Sequence, residues 1–421
     1  MPVLHTRWLK TFIATVPLLM LTLQAASAQD TVTLSFVGPE ANTTMQPVID
    51  AFQAANPNII VNYEQVPFAD LNDILQTRIG GGDSTPDIFT ADQPRIPALV
   101  DRGFLEDITD DVGDISDRVI QSSIDASTVN GRLYALPMST STQLLYYNAD
   151  LLEAAGIDLP TMDPQDRLTW EALTEAAVAA QEAGAEYGFM FDQVSRVYQI
   201  LPLPESLGGG NGISTDDPLS PAFTNDAWVD ALTFYGDLFE SGIAPRGVPP
   251  EQTPDLFASG RVAFFVGGPW WLPLFSGTDG LNFGVSAHPY FADGEPVTPT
   301  GAWSWGINPN TQYREEALQF LTFAALTAEG ASAAAINFPL PPANIAAFEE
   351  VFVNNIEIDG LGDLILYELQ NTAVIRPLTV GFIQFEEIVG QAMEDIRNGA
   401  DVSTTLETAT EDLQAAWSRL G

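Results

Sequence analysis

The chain contains no cysteine, which removes disulfide staples, thiolate metal ligands and cysteine nucleophiles together. Histidine is almost as scarce. Of the two, His5 and His288, only the second stands beyond residue 28, and Pro289 follows it. One imidazole is too little for a Cys/His catalytic pair or a nitrogen-and-sulfur zinc site, so His288 reads as structural. Lysine stops at Lys10: the fifteen basic residues less Arg7 and Lys10 leave thirteen, all arginine, against 56 acidic residues, a balance of −43. Such a field repels nucleic acid and anionic membrane surfaces, and neither is expected as a partner.

Several motifs are missing as well. No G-x-S-x-G nucleophile elbow occurs. The glycine clusters "IGGGDSTPD" (79–87) and "LGGGNG" (207–212) lack the Lys-Ser/Thr pair of a phosphate cradle. "DITDDVGDISD" (107–117) lacks the glycine and glutamate spacing of a calcium loop and reads as a solvated loop with helix caps. Metals and cofactors are therefore not expected. Paired carboxylates for glycoside hydrolysis are available among so many acids, but none stands in an aromatic setting at a recognisable spacing.

The acidity itself has two readings. A lysine-free acidic surface stays soluble where salt screens repulsion to a few ångströms, and a negative field also attracts cationic ligands such as polyamines. The acids are spread along the chain rather than clustered, which favours salt adaptation.

At the N-terminus, Arg7 and Lys10 precede the apolar run "TFIATVPLLMLTL", and Ala26-Ser27-Ala28 offers a small-residue cleavage site. Residues 1–28 are expected to be a signal peptide cleaved before Gln29, because the run is too short and wrongly flanked for a membrane span. Export follows, to a periplasm since no cysteine is there to be lipidated, or else by free secretion. The 393 residues that remain of 421 suggest two or three domains, and 46% apolar with 10% aromatic content supplies large cores.

Strand and helix patterns then alternate. "TVTLSFVG" (31–38), "NIIVNYEQV" and "PDIFTAD" read as strands; 43–57, "ADLNDILQTRIGGG" and "IPALVDRGFLEDITD" read as helices. The alternation predicts α/β layers with parallel strands. Later helices are expected over 169–184 with Thr169 as cap, 226–242, 313–330 closed by Gly330, 385–399 closed by Gly399, and at the chain end. Trp228, Leu232, Tyr235 and Phe239 share one helical face and are expected in the core. No linker divides the chain, so two lobes exchanging strands are expected, with "ALPMSTS" (135–141) and "EPVTPTG" (295–301) as crossings.

"FASGRVAFFVGGPWW" (257–271) poses the functional question. Val262 to Val266 is continuously apolar, as a strand covered on both faces is, and Gly267, Gly268 and Pro269 end it. Trp270 and Trp271 then stand beyond the strand end, where little core remains to fill. Ligands of open α/β sheets sit at the carboxyl ends of strands. Other polar or aromatic residues share such positions: Glu40; Asp92 and Gln93; the 139–143 crossing with Ser141 and Gln143, near Tyr146 and Tyr147; Trp303 with Trp305. Rings for stacking on C–H faces, beside carboxylates and amides, suit a neutral polyhydroxylated ligand. Trp305 and Tyr147 alternate with cleft-facing neighbours and are expected in the core.

The same stretches carry a resemblance. "PVIDAFQAANPNIIV", "TPDIFTAD", "LPMSTSTQLLYYNADLLEAAGI", "LFASGRVAFFVGGPWW", "PVTPTGAWSWGINPNTQYREEALQFLTF" and "AVIRPLTVGFIQFEEIVGQAMEDIRNG" occur in the order found in sugar-binding extracellular solute-binding proteins of ABC importers, and the chain resembles that family over nearly its whole length. The resemblance implies a two-lobed periplasmic-binding-protein fold (type II-like), with residues 29–138 and 300–330 in one lobe and 139–299 and 331–421 in the other. It also implies a ligand held between lobes that close on it, a membrane permease as partner, and a monomer. Trp270 falls on the family's stacking aromatic; Glu40, Asp92, the 139–143 crossing, Trp303 and Arg376 fall near cleft positions. The function implied is capture of a neutral mono- or oligosaccharide without catalysis. A cationic-ligand receptor and a secreted carbohydrate-active enzyme are the alternatives.

Overall fold

The computed structural model describes residue 1 and residues 31–337, 340–353 and 358–420. The signal segment expected over 1–28 lies, from residue 2 on, outside them. Two sheets organise the chain. In the first, Ile59–Gln65, Val32–Gly38, Ile88–Asp92, Trp303–Ile307 and Ala135–Pro137 lie side by side in that order. In the second the order is Phe283–Ser286, Leu144–Asn148, Val262–Gly267 and Tyr187–Phe191.

Both sheets are covered on both faces, and the period-2 geometry of a strand decides which side chain goes where. In the first, Leu34, Phe36, Leu136 and Trp305 enter one core with Phe52 and Phe320, while Val37, Phe89 and Ala135 enter the opposite core with Leu75 and Phe104. In the second, Leu145, Phe189, Phe264 and Val266 pack with Trp170, Trp228 and Phe385, while Leu144, Tyr146, Met190 and Phe265 pack with Phe257 and Phe275. The Trp228, Leu232, Tyr235 and Phe239 stripe is buried as expected, and Trp305 is a core residue.

The sheets are mixed rather than parallel. Val32–Gly38 pairs in parallel with both its neighbours, but Trp303–Ile307 runs antiparallel to Ile88–Asp92 and to Ala135–Pro137. The reason is the exchange of strands between lobes: a strand returning from the second lobe enters at the end where the parallel strands finish. Trp303 is thereby registered opposite Asp92.

Three segments cross between the lobes. Residues 138–143 and 287–302 join the sheets, and near 340–344 the chain crosses again, with Thr140 N donating to Pro341 O and Ser139 bridged to Pro342. Two expected helices break differently from the sequence pattern. The helix after Asp92 stops at Asp101, where Gly103 turns with φ 71°. The helix from Arg314 ends at Leu326, and Thr327 caps a second one, Ala328–Ala335, with its Oγ1 accepting from Gly330 N. Gly330 lies inside that helix and closes nothing. Ala333, Ala334 and Ala343 join the first lobe's core, beyond the boundary expected at residue 330.

Candidate ligand-binding cleft

The ends of the two sheets face each other across a cavity of about 510 Å³. From the first lobe it is lined by Pro39, Glu40, Asp92, Ala302 and Trp303, and from the second by Gln193, Arg196, Tyr198, Trp270 and Trp271. Ser141, Gly301, Leu340 and Arg376, on or beside the crossings, complete the wall.

Of the residues singled out in the sequence, Glu40, Asp92, Ser141, Trp270, Trp271, Trp303 and Arg376 meet here. Two do not. Gln93 is buried beneath the wall, its Nε2 donating to Ser304 Oγ at 3.2 Å and its Oε1 accepting from Ala302 N at 2.8 Å. Gln143 is also buried, with Oε1 accepting from Gln199 Nε2. Gln93 directly follows Asp92, and successive side chains on extended backbone point to opposite faces; Gln143 stands two residues beyond Ser141 and is drawn into the interior by its bond to Gln199. Tyr146 and Tyr147 are spent on structure, donating to Gly268 O and Pro160 O.

Glu40 sits just past the first strand. Tyr63 and Thr90 hydroxyls donate to its Oε2, each at 2.9 Å, and burial pushes its carboxyl above the ordinary glutamate range against those bonds. Asp92 ends its strand and accepts from Arg376 Nη2 at 2.9 Å, with Arg95 Nε 3.5 Å from its other oxygen. The Arg376 guanidinium lies 5.4 Å from the Tyr198 ring centroid and 5.9 Å from that of Phe382. Ser141 donates to Gly301 O, so the Tyr198 hydroxyl donates to Ser141 at 2.8 Å. Beyond Arg376, Glu386 accepts from Arg95 at 3.1 Å and Arg196 at 3.3 Å, one arginine from each lobe.

Gln193, Arg196 and Tyr198 were missed in the sequence. They belong to the segment after Tyr187–Phe191, where no family motif stands. The remaining signal was the end of a parallel strand, which carries cleft residues in such sheets.

His288 plays no part in the cleft. Burial pushes its imidazole down to about 3, and its main-chain N–H donates to Glu368, which also accepts from Arg167 and Thr298.

The arrangement offers aromatic rings with hydroxyl, amide, carboxyl and guanidinium groups around one cavity. Among the described residues no group of His, Asp and Glu is placed to hold a metal. A family model described as bacterial extracellular solute-binding protein matches residues 38–331. A binding protein of Brucella abortus (strain 2308) is 25% identical over 406 residues, covering 93% of this chain and 94% of its own length. The maltodextrin-binding protein of Bacillus subtilis (strain 168) is 29% identical over 259 residues, 58% of each chain. Among solved structures, the ABC substrate-binding protein Lmo0181 from Listeria monocytogenes, in complex with cycloalternan, matches with a TM-score of 0.80 at 22% identity. That match covers 92% of this chain and 100% of the other.

Proposed function

The chain belongs to the bacterial extracellular solute-binding proteins, and from that premise we propose that it captures a neutral mono- or oligosaccharide for import by an ABC permease. The observation that carries the reading is the convergence of Trp270, Trp271 and Trp303 with Glu40, Ser141 and Gln193 on one cavity. Rings stack on the C–H faces of a sugar while the polar groups between them take its hydroxyls. The maltodextrin-binding relative supports the ligand class. A polyamine is disfavoured by Arg196 and Arg376 in the wall. The family is one of binding proteins, and we assign the chain no catalytic step. It works as an exported monomer in the periplasm, its lobes closing on the ligand.

A thermal-shift screen of residues 29–421 in molar salt tests this, with mono-, di- and oligosaccharides, polyamines and amino acids. A ligand at about 100 times its Kd adds about 2.7 kcal/mol, enough to move the midpoint by a few degrees. A shift with one saccharide class is the expected result. A shift with polyamines alone would overturn the ligand assignment, and release of shortened oligosaccharides would overturn the non-catalytic reading.

A further inference from the structure

We propose that Asp192 is a positioning residue of the cleft, fixing the Trp270 ring in the orientation that receives the ligand; the ligand part of this rests on the saccharide reading above. Asp192 follows directly on the strand Tyr187–Phe191 and is itself 2% exposed. It does not line the cavity. Its main chain is locked, with N donating to Val266 O at 2.9 Å and O accepting from Thr253 Oγ1 at 3.0 Å. The carboxyl therefore has a fixed origin, and its Oδ2 accepts from Trp270 Nε1 at 3.1 Å.

An indole has one donor, on its edge, so a bond there sets the ring's rotation about its long axis. Two further contacts fix the tilt. A Cβ added at Gly268 would stand 1.9–2.3 Å from three Trp270 ring atoms, which means that the ring lies directly over the Gly268 main chain. Tyr198 is the second neighbour, ring centroids 6.3 Å apart at 45°. Trp270 is thus held at edge and face, leaving its remaining surface to the cavity. The Gly-Gly before the tryptophans gains a reason: the second glycine is the clearance under the ring.

A buried carboxyl with a cost of its own is an unusual choice for a spacer. Burial raises its pKa against the pull of the Trp271 and Trp270 indoles and of Arg196. An apolar side chain would fill the space at lower cost but accept nothing, so the position serves the indole rather than the core.

The test compares Asp192→Asn, which keeps an acceptor, with Asp192→Leu, which does not, and with Gly268→Ala, which pushes the ring from below and leaves Asp192 intact. The first readout needs no ligand. Subtracting the near-ultraviolet circular dichroism of Trp270→Phe from that of wild type isolates the Trp270 band, and the same subtraction in each background follows the ring. The second readout is calorimetric binding of maltotriose. We expect Asp192→Asn to keep the Trp270 band, whereas Asp192→Leu and Gly268→Ala lose it and weaken binding about tenfold, the upper end of what one ordinary hydrogen bond contributes. A Trp270 band unchanged in both Asp192→Leu and Gly268→Ala overturns the proposal. If Asp192→Leu does not fold, Gly268→Ala and Asp192→Asn decide: loss in the first with retention in the second supports it, any other pattern refutes it. Failure of wild type to bind maltotriose bears on that sugar and leaves the spectroscopic arm deciding the position of the ring.

Discussion

Glu386 ties an arginine from each lobe, and replacing it with glutamine separates two salt effects that run in opposite directions. Burial pushes the Glu386 carboxyl up, and the charges of Arg196, Arg376 and Arg95 more than reverse that, leaving it below the ordinary glutamate range. Its side chain is 16% exposed, that of Arg95 14% and that of Arg196 40%. The Arg95 pair approaches the buried class, in which removing one partner costs about 3–5 kcal/mol; the Arg196 pair belongs with surface pairs worth about 0–1 kcal/mol. With exposure discounting the first, Glu386→Gln should cost about 2–3 kcal/mol in low salt. In molar salt the Debye length falls to about 3 Å, and the loss should shrink toward the Arg95 share. Wild type should move the other way, gaining stability with salt as repulsion within a chain of net charge −41 is screened. Urea is the denaturant to use, since it leaves ionic strength free to vary. A loss below about 0.5 kcal/mol in low salt, the scale of an unremarkable surface change, would refute the bridging role. So would a loss that grows with salt.

Trp270→Ala removes one stacking face. A tryptophan buries 150–250 Å² in all, and a ligand capping roughly a third of that at 25 cal/mol per Å² loses about 1–2 kcal/mol, roughly eight- to thirtyfold in Kd by calorimetry. Independently of any variant, the urea midpoint of wild type should rise from millimolar to molar salt, and an indifferent midpoint would count against a salt-adapted surface. Asp192 is pushed up to about 7 and Glu205 to about 8, both chiefly by burial. The native state therefore keeps protons that the unfolded chain releases near pH 4, so this contribution is complete below that value and is lost as pH rises through about 7 to 8. Asp192→Asn should flatten the fall in urea midpoint between pH 5 and pH 8 relative to wild type; equal slopes would contradict the assignment.

What the sequence disclosed follows physical lines. Elements whose periodicity is set by burial were legible: Val262–Gly267 as a strand covered on both faces, the Trp228 to Phe239 stripe, and the cap at Thr169. Strand direction was not, because Trp303–Ile307 owes its antiparallel pairing to a crossing that joins distant segments. In the cleft, Trp270 was legible because a strand stop leaves a large ring with no core to enter. Gln93 and Gln143 were misplaced because proximity in sequence does not reveal which way a residue faces. Arg196 and Tyr198 escaped notice because short irregular turns follow Tyr187–Phe191, without periodicity to read.

The two-stranded ribbon at the crossing has a mechanical consequence. Thr298–Thr300 pairs in parallel with Ala373–Ile375, and Thr298 N donates to Thr372 O. The first strand rests against the short helix Val197–Ile200 of the second lobe, the other against Gln121–Ala126 of the first. Any change in the angle between lobes must twist this ribbon as a torsion bar, and Arg376 is the residue immediately beyond its end. Its guanidinium reaches from the ribbon to the first lobe, where it donates to Asp92. A ligand touching Arg376 is therefore in contact with the part whose orientation reports how far the two halves have turned.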